Sequence, residues 1–274
     1  MNDLVSVIVP TYNSQKTIER CLVSIKAQTY KRIELIVIDK LSSDKSIGIA
    51  KKYANSVYTF NATERCQQKN FGISKSKGEF IFFIDSDMEL TPEVIEEAVL
   101  KIRNNPNNAG IVIPERSIGN SFWVKVRDFE KLLISKSDIE SARFFRKNLV
   151  DMVQGFDEDI IFMEESALPQ KIEKLGYNVK SRTKAPILHI EDNFSIFAHL
   201  RKKIYYGQSM VNYKNNYKYA ENQLGIFYRS KVIFNNREFY KKPILGLFVI
   251  LLKTLEFILC IYGACSHNFR RNSN

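Results

Sequence analysis

Cysteine is scarce in this sequence, and the placement of the few that occur argues against two kinds of stabilising site. The 274 residues include four cysteines, namely Cys21, Cys66, Cys260 and Cys265. No two of them form a close pair typical of a zinc site. The last two lie in an apolar run, where small buried side chains are more typical than a disulfide framework. The sequence therefore predicts a protein of a reducing compartment.

Other absences narrow the class of protein. The N-terminal stretch MNDLVSVIVPTYN has neither a basic start nor a long apolar segment, so we expect no signal peptide. The chain has no internal repeat and no low-complexity linker, and its 45% hydrophobic residues argue against a disordered or fibrous protein. Its length is enough for one large domain, or for one and a half small ones, with a buried core.

Acidic residues are few in the C-terminal part of the chain. Residues 200–274 contain 13 lysines and arginines against 3 acidic residues, a net charge of +10, whereas the remainder has 28 basic and 27 acidic residues, or +1. A basic segment of this kind can bind nucleic acid, an anionic lipid surface or a phosphate-bearing substrate. The rest of its composition decides among these partners.

An apolar stretch at residues 243–265 lies inside the basic part and has basic residues on both sides. It is long enough to cross about 30 Å of hydrocarbon. Lys253 and Glu256 lie near its centre, where each charge is costly, so attachment to the membrane surface is favoured over spanning. The alternative is a core or dimer helix of a soluble enzyme. Nucleic-acid binding needs no such stretch, so we predict a membrane surface as partner and no nucleic acid.

Strand and helix patterns alternate over the first part of the chain. Stretches with helical periodicity separate short apolar runs; in the first stretch Ile18, Cys21 and Ile25 fall on one face. Thr91 is expected to cap the helix after the third run. The alternation predicts an α/β fold with a mainly parallel sheet covered by helices on both faces. The apolar runs are residues 4–10, 33–39, 79–85 and 109–114.

We expect the α/β domain to occupy residues 1–193 and a basic, helical C-terminal extension to occupy residues 194–274. In the α/β domain, polar residues stand at the ends of three strands. Ligands bind beyond the carboxyl ends of strands in parallel sheets, so these residues are expected to meet at one edge. They are Thr11, Tyr12 and Asn13 after the first strand, Asp39 at the second, and Asp85, Ser86 and Asp87 at the third.

The two aspartates at the third strand end are the clearest chemical signal. In an extended chain Asp85 and Asp87 place their carboxylates on one side, where they would repel each other. A divalent cation relieves the repulsion, since Mg²⁺ and Mn²⁺ bind through one or two carboxylates plus substrate phosphates. The alternative is a turn whose charges cap the following helix.

Four motifs, in order, carry a resemblance to a known family. SVIVPTYN, IVID with SSD, FIDSDMELTP, and GFDED with EES and KLGY resemble the family-2 nucleotide-sugar glycosyltransferases, over about residues 5–189. The resemblance implies the GT-A fold, which is Rossmann-like, with a nucleotide-sugar donor, a glycan or lipid-linked acceptor and a divalent cation, Mg²⁺ or Mn²⁺. Two further stretches, PERSIGNSFWVKVRDFEK and SARFFRK, resemble a subgroup that acts in cell-surface polysaccharide or protein-glycan assembly.

The resemblance also implies residue roles on the donor side. Asp39 is similar to the residue that receives the base or ribose, although Lys40 follows it where many relatives have a second aspartate. Arg65 resembles a residue that faces the nucleotide, and its fixed charge suits a diphosphate; the alternative is a surface helix charge. The implied donor-binding set is Pro10, Thr11, Tyr12, Asp39, Arg65, Asp85 and Ser86.

Metal and proton-transfer roles follow from the same resemblance. Asp87 is implied as a metal ligand, together with Asp85 and with His189, whose alternative is a structural histidine. Glu165 falls where the family has its general base, and would accept a proton from the acceptor hydroxyl. The alternative for Glu165 is an acid that favours the helix dipole. Lys171 stands where the family has an arginine.

The sequence thus predicts an inverting, metal-dependent glycosyltransferase at the cytoplasmic face of the cell membrane. It would move a sugar to a hydroxyl of a lipid-linked glycan. Two alternatives stay open: a polyprenyl-phosphate sugar synthase, and a catalytically inactive protein that binds a nucleotide sugar. Lys40 and the Glu164–Glu165 pair are the departures that keep the inactive alternative open.

Overall fold

The structure, a computed structural model, describes residues 3–160, 163–192, 194–217 and 220–271. Contacts divide the chain into two compact units. Unit 1 consists of Met1–Glu115, Ser141–Glu158 and Glu164–Ile190, and unit 2 of Arg116–Glu140, Asp159–Met163 and Glu191–Asn274. The predicted division after residue 193 stays a prediction, and the structure groups residues 116–140 with the C-terminal helices.

The elements of the described chain alternate in its first half and become mainly helical after residue 195. The strands are β1 Val5–Thr11, β2 Ile33–Asp39, β3 Ser56–Thr59, β4 Phe80–Phe83, β5 Met88–Leu90, β6 Gly110–Val112, β7 Glu115–Ile118, β8 Ala142–Arg146, β9 Ser181–Arg182 and β10 Ile187–Ile190. The helices are α1 Ile18–Lys26, α2 Ser46–Tyr53, α3 Arg65–Lys75, α4 Val94–Asn104, α5 Phe122–Ile134, α6 Lys147–Met152, α7 Glu164–Glu173, α8 Ile196–Asn216, α9 Ala220–Leu224, α10 Ile226–Asn235, α11 Arg237–Lys241 and α12 Pro243–Arg271.

Unit 1 is built on a sheet of seven strands in the order β3-β2-β1-β4-β8-β6-β9. The strands β3, β2, β1 and β4 run parallel to their neighbours, β8 is antiparallel to both β4 and β6, and β6 and β9 pair in parallel. The predicted α/β fold with a mainly parallel sheet is therefore confirmed. Because β-branched and aromatic side chains on both faces of the strands are buried, the sheet separates two apolar clusters covered by helices.

One helix start differs from its prediction. Thr91 does not cap α4, which begins at Val94 after Glu93. The hydroxyl of Thr91 donates instead to the carbonyl of Pro186, at 2.9 Å, where the chain enters β10. The bond fixes the loop after β5 beside β10, and β5 and β10 pair antiparallel with Met88 opposite His189.

Unit 2 is a helical unit with its own apolar core. Val126, Phe129 and Leu133 of α5 cluster with Ile233, Val249 and Leu252. The helices α8 and α12 approach closely, since a Cβ atom added at Gly207 would lie 2.1 Å from the carbonyl oxygen of Cys260. At Gly263 the distance to the Ile204 carbonyl would be 2.0 Å. Both positions therefore require glycine if the two helices are to pack as they do.

The predicted apolar stretch is helical throughout. Its part of α12, Pro243–Ser266, is long and apolar enough to cross a membrane by length and composition, a test that a buried core helix also passes. Lys253 and Glu256 pair as expected for residues three apart, with 2.8 Å between Nζ and Oε2.

Candidate active site

Three neighbouring strands of unit 1 end at one edge of the sheet. Thr11 at the end of β1 lies opposite Asp39 at the end of β2, and the chain leaves β4 next to β1, where the Ile84 amide donates to the Ile8 carbonyl. The side chain of Gln68, from α3, donates to the carbonyls of Thr11 and Ile38 at 3.0 and 2.7 Å. Carbonyls at this edge are thus satisfied by a buried amide.

The first two strand ends combine buried and exposed polar groups. Asp39 is fully buried, and its two oxygens accept from the amide and hydroxyl of Ser42 at 2.7 and 2.5 Å. Pro10 and Thr11 are buried as well, whereas Tyr12 is 56% exposed. The ammonium of Lys40 lies 5.6 Å from the centre of the Tyr12 ring. Of the predicted donor-binding residues on these two strands, Tyr12 is the one that offers a side chain to solvent.

Asp85 lies among three cations. Its Oδ1 is 3.2 Å from Nη1 of Arg65, and its Oδ2 is 3.8 Å from Nη1 of Arg143. Burial alone would raise the pKa of Asp85, but the charges of Arg65, Lys69 and Arg143 outweigh it and hold this pKa well below its ordinary value. Asp85 is therefore ionised throughout the neutral range and is tied to the protein's own cations.

Asp87 points to a different partner. Its side chain is 47% exposed, and its Oδ2 lies 3.2 Å from Nε2 of His189, which the β5–β10 pairing brings alongside. The hydroxyl of Ser86 donates to the hydroxyl of Ser14 at 2.9 Å and so fastens the middle of the turn. The two aspartates therefore have separate partners.

Asp87 and His189 together offer a carboxylate oxygen and an imidazole nitrogen as ligands for a divalent cation. Within the part of the chain that the structure describes, no group of three His, Cys, Asp or Glu residues could hold a metal ion by itself. An exposed carboxylate beside an imidazole still fits Mn²⁺ or Mg²⁺, since these ions complete their shells with water and substrate phosphates. The ligand set of Asp85, Asp87 and His189 stays a prediction.

Two adjacent glutamates begin α7 and differ in exposure. The Glu164 side chain is 7% exposed and its Oε1 lies 3.2 Å from Nε of Arg65 and 3.5 Å from Nζ of Lys69. The Glu165 side chain is 28% exposed, 3.2 Å from Lys69 and 2.9 Å from Nη2 of Arg143. Glu165 is thus held in place by two cations and remains accessible, as a proton acceptor must be.

Sequence reasoning missed Lys69, Arg143 and Glu115. Lys69 is 1% exposed and Arg143 6% exposed, and Glu115 accepts two hydrogen bonds from the Arg143 guanidinium, at 2.9 and 2.5 Å. Lys69 follows Arg65 by four residues on α3, a spacing that places both on one helix face and could have indicated it. Arg143 lies within the apolar strand β8 and gives no comparable signal.

Lys171 has a supporting position. Its ammonium donates to the Gly155 carbonyl at 2.8 Å and to Asp157 Oδ1 at 2.6 Å. Gly155 has a φ of +65°, a conformation that favours glycine. Lys171 therefore fastens the turn between α6 and α7.

Comparisons with known proteins show to which family the chain is similar. The family described as Glycosyl transferase family 2 matches residues 6–163. The glycosyltransferase GlyG of Streptococcus pneumoniae serotype 4 is 34% identical over 150 residues, which are 50% of this chain and 49% of that protein. The poly(ribitol-phosphate) β-N-acetylglucosaminyltransferase TarS of Staphylococcus aureus is 28% identical over 174 residues, which are 58% of this chain and 30% of that protein. The chain spans half or less of the length of these relatives.

Solved structures share the fold. The mannosyltransferase PcManGT of Pyrobaculum calidifontis, in complex with GDP-mannose and Mn²⁺, is similar with a TM-score of 0.72 at 17% identity, over 98% of this chain and 88% of that one. A TarS fragment of S. aureus in complex with UDP-GlcNAc gives a TM-score of 0.52 at 21% identity, over 94% and 79% of the two chains. These likenesses confirm the GT-A fold. Since the matched region covers more than half of the sequence, the chain belongs to glycosyl transferase family 2.

Proposed function

We propose that this protein transfers a sugar from a nucleotide-sugar donor to a hydroxyl group of a glycan acceptor. The observation that carries the proposal is the anchoring of Glu165 by Lys69 and Arg143 at the sheet edge where Asp85 and Asp87 follow β4. Family membership supports the same reaction type. The GDP-mannose and UDP-GlcNAc bound by PcManGT and TarS support a nucleoside diphosphate sugar as donor class.

In the proposed reaction Glu165 accepts the proton of the acceptor hydroxyl while its oxygen attacks the anomeric carbon. A carbon–oxygen bond to the acceptor forms, the bond to the diphosphate breaks, and the nucleoside diphosphate leaves with the electron pair. This single displacement inverts the anomeric configuration. Lys69 and Arg143 orient Glu165, because each holds one part of its carboxylate.

Asp87 and His189 are the residues that would hold a divalent cation, as the donor chemistry of the pair and the exposure of Asp87 allow. A bound Mg²⁺ or Mn²⁺ would neutralise negative charge on the departing diphosphate. The Mn²⁺ in the PcManGT complex supports this assignment. Arg65, whose side chain is 41% exposed, would add fixed positive charge for the diphosphate of the donor.

We further propose that the reaction takes place at the cytoplasmic face of the cell membrane, on a lipid-linked glycan. The net charge of +10 over residues 200–274 and the apolar helix α12 support the membrane location. The similarity to TarS, a poly(ribitol-phosphate) β-N-acetylglucosaminyltransferase, supports a polymeric acceptor. A role in cell-surface glycan assembly is part of the proposal.

A donor screen tests the proposal. Full-length protein is incubated with a panel of nucleoside diphosphate sugars and Mg²⁺ or Mn²⁺, and released nucleoside diphosphate is measured. Asp87→Asn is expected to lower the rate by about 10²-fold or more, because it replaces an anionic ligand of the cation by a neutral and weaker one. Asp151→Asn is the matched control, since its side chain is equally 47% exposed and also has one ion-pair partner, Lys147.

Release that is equal with and without a chelator would refute the cation assignment. Mn²⁺ binding followed by electron paramagnetic resonance gives a second readout that needs no turnover. Absence of release from every donor would favour the inactive alternative. Transfer to a bare lipid phosphate, with no transfer to a glycan, would favour the synthase.

A further inference from the structure

Helix α12 has the reverse of the usual surface pattern. Between Pro243 and Ser266 none of the exposed side chains is charged, and most are large and apolar. Six of them recur every three or four residues and so lie on one helix face. We call this face the apolar stripe; it consists of Ile244, Leu247, Leu251, Leu255, Ile258 and Tyr262, which are 38–70% exposed.

The two charged residues of the same stretch are turned away from the stripe. Nζ of Lys253 lies 2.6 Å from Glu130 Oε1 of α5 and 2.8 Å from Glu256 Oε2. Glu256 also contacts His199 and Lys203 of α8, at 2.8 and 3.1 Å. These ion pairs fix the rotation of α12 about its axis, because turning the stripe inward would separate them and leave buried charges unpaired.

The stripe is long and continuous. From Ile244 to Tyr262 it runs for about 27 Å at 1.5 Å per residue. Apolar surface of this extent on a folded unit marks an interaction site. The basic residues Arg237, Lys241 and Lys242, which precede it, are exposed. Apolar area together with lysine and arginine is the pattern that anionic bilayer surfaces bind.

A second copy of the chain fits the stripe less well than lipid does. Basic residues flank the apolar part of α12 on both sides, at residues 241–242 just before the helix and at residues 270–271 in its last turn. Two copies that pair along the stripe would therefore bring like charges together whether they run parallel or antiparallel. Anionic headgroups instead meet positive charge at both ends of the helix.

The surroundings of α12 favour a position in the plane of the membrane. Its inner face packs against α8, which exposes Arg201 and Lys202. If α12 crossed the bilayer, these charges would be drawn into hydrocarbon along with it. Contact through one face leaves the charges of α8 in water.

We propose that unit 2 docks on anionic lipid bilayers through the apolar stripe, with α12 lying at the boundary between headgroups and acyl chains. The proposal deepens the membrane location given above and does not require catalytic activity. Docking of an inactive protein, or activity of a protein that does not dock, would separate the two proposals.

Vesicle co-sedimentation of the full chain tests the docking. The wild type is expected to bind vesicles of phosphatidylglycerol and phosphatidylcholine and to bind phosphatidylcholine alone more weakly. The double variant Leu251→Gln/Ile258→Gln is expected to lower the partition coefficient by about tenfold or more, because two apolar side chains no longer enter the acyl region. The matched control Val23→Gln/Leu175→Gln changes two apolar residues of similar exposure in unit 1, and its binding is expected to match the wild type.

Cys265 gives a second measurement on the wild-type protein. It is an exposed free thiol three residues after Tyr262, the last member of the stripe, and so lies on the same side of α12. Anionic vesicles are expected to slow its alkylation by a charged, water-soluble maleimide several-fold. Phosphatidylcholine vesicles are expected to slow it less.

Three results would overturn the proposal. The first is wild-type protein that binds no vesicles, or a double variant that binds as well as wild type. The second is a wild-type dimer in sedimentation analysis that the double variant loses, with no vesicle binding by either, which would assign the stripe to a second copy. The third is bound protein that fails to transfer to added excess vesicles, which would indicate a spanning helix.

Discussion

Glu164 and Glu165 are neighbours in sequence with different surroundings. Glu164 is nearly buried between Arg65 and Lys69 and so serves to balance their charges. Glu165 shares Lys69 but turns to Arg143 and keeps more than a quarter of its side chain exposed. Glu165 is therefore the more accessible of the two, in keeping with the role proposed for it.

Glu165→Gln is expected to lower kcat for transfer to a glycan acceptor by about 10²- to 10⁴-fold, since an amide does not accept the proton. The KM for the donor should change little. Glu173→Gln is the matched control: it lies on the same helix, its side chain is 29% exposed against 28% for Glu165, and it also has a lysine partner, Lys180. The rates are compared in steady-state assays with the donor found by the screen.

Full transfer by Glu165→Gln to a sugar hydroxyl would contradict the role as base. Unchanged transfer to a lipid phosphate would not contradict this role, because an acceptor that is already ionised needs no base. The acceptor used must therefore be stated with each rate.

At the residue scale, the sequence was informative for functional side chains that directly follow a predicted strand. Asp85 and Asp87 follow an apolar strand, so their place at the sheet edge could be foreseen from the pattern. Glu165 was indicated by the family resemblance alone. Of the cations that hold Asp85 and Glu165, Arg143 could not be foreseen. Arg143 lies in β8 between apolar neighbours, and its proximity to Asp85 and Glu165 arises from the antiparallel pairing of β8 with β4.

At the element scale, α12 shows what composition alone leaves undecided. The length and hydropathy of its apolar part, Pro243–Ser266, allow it to span a membrane, yet the two charged residues of that part pair with residues of α5 and α8. Whether the charged residues of a helix are paired depends on contacts with residues that are distant in sequence. No pattern within the helix could therefore show it. The start of α4 likewise depends on a distant contact. The helix begins at Val94 and is not capped by Thr91, whose hydroxyl donates to the carbonyl of Pro186.

The charges around α12 predict how the stability of unit 2 depends on pH. Burial would raise the pKa of Glu256, but Lys253, Lys203 and His199 hold it well below its ordinary value. Burial lowers the pKa of His199, more than its hydrogen bond to Glu256 raises it. In both cases the unfolded chain binds more protons than the folded chain in acid, so stability rises with pH.

Urea unfolding is therefore expected to show a free energy of unfolding that falls as the pH drops below about 6.5, where unfolded histidine becomes protonated. A further fall is expected below about 4.3, where the unfolded glutamate takes up a proton. Measurements at intervals from neutral pH down to about pH 3 would resolve the two steps. Stability that stays constant or rises over this range would contradict the assignment.

The variant Glu256→Gln isolates the contribution of Glu256 to the pH dependence of stability. At neutral pH the variant is expected to lose about 3–5 kcal/mol, because Lys253 and Lys203 lose a buried partner. Below pH 4 its difference from wild type should shrink. Glu238→Gln is the control, as its ion pair with Lys241 lies at the surface of α11 and contributes about 1 kcal/mol or less.

At the scale of the whole molecule, the alternation of strands and helices was enough to predict the parallel part of the sheet. The order β3-β2-β1-β4 follows from short crossovers between buried strands. The grouping of residues 116–140 with the C-terminal helices was not predicted, because it rests on packing of α5 against α10 and α12, far along the chain.

The four cysteines give a test of the whole fold. Cys265 is exposed, whereas Cys21, Cys66 and Cys260 are buried. Burial raises the pKa of each buried thiol, that of Cys66 to about 11. Since the thiolate is the reactive form, native protein at pH 8 is expected to consume one equivalent of Ellman's reagent rapidly. Unfolded protein should consume four.

Cys265→Ser is the control for this measurement and should remove the rapid equivalent without changing the slow ones. Two or more rapid equivalents in the wild type would mean that at least one core is open on the timescale of the reaction. The count of thiols thus reports on unit 1 through Cys21 and Cys66 and on unit 2 through Cys260.

The charged cluster at the sheet edge contains more negative than positive groups. Arg65, Lys69 and Arg143 contribute three positive charges, and four carboxylates of Asp85, Glu115, Glu164 and Glu165 surround them. With Asp87 the sum is −2 before any substrate enters. A diphosphate would add to this negative field, so the donor is expected to bind as a neutralised complex with its counter-ion, and its affinity should rise with the concentration of divalent salt.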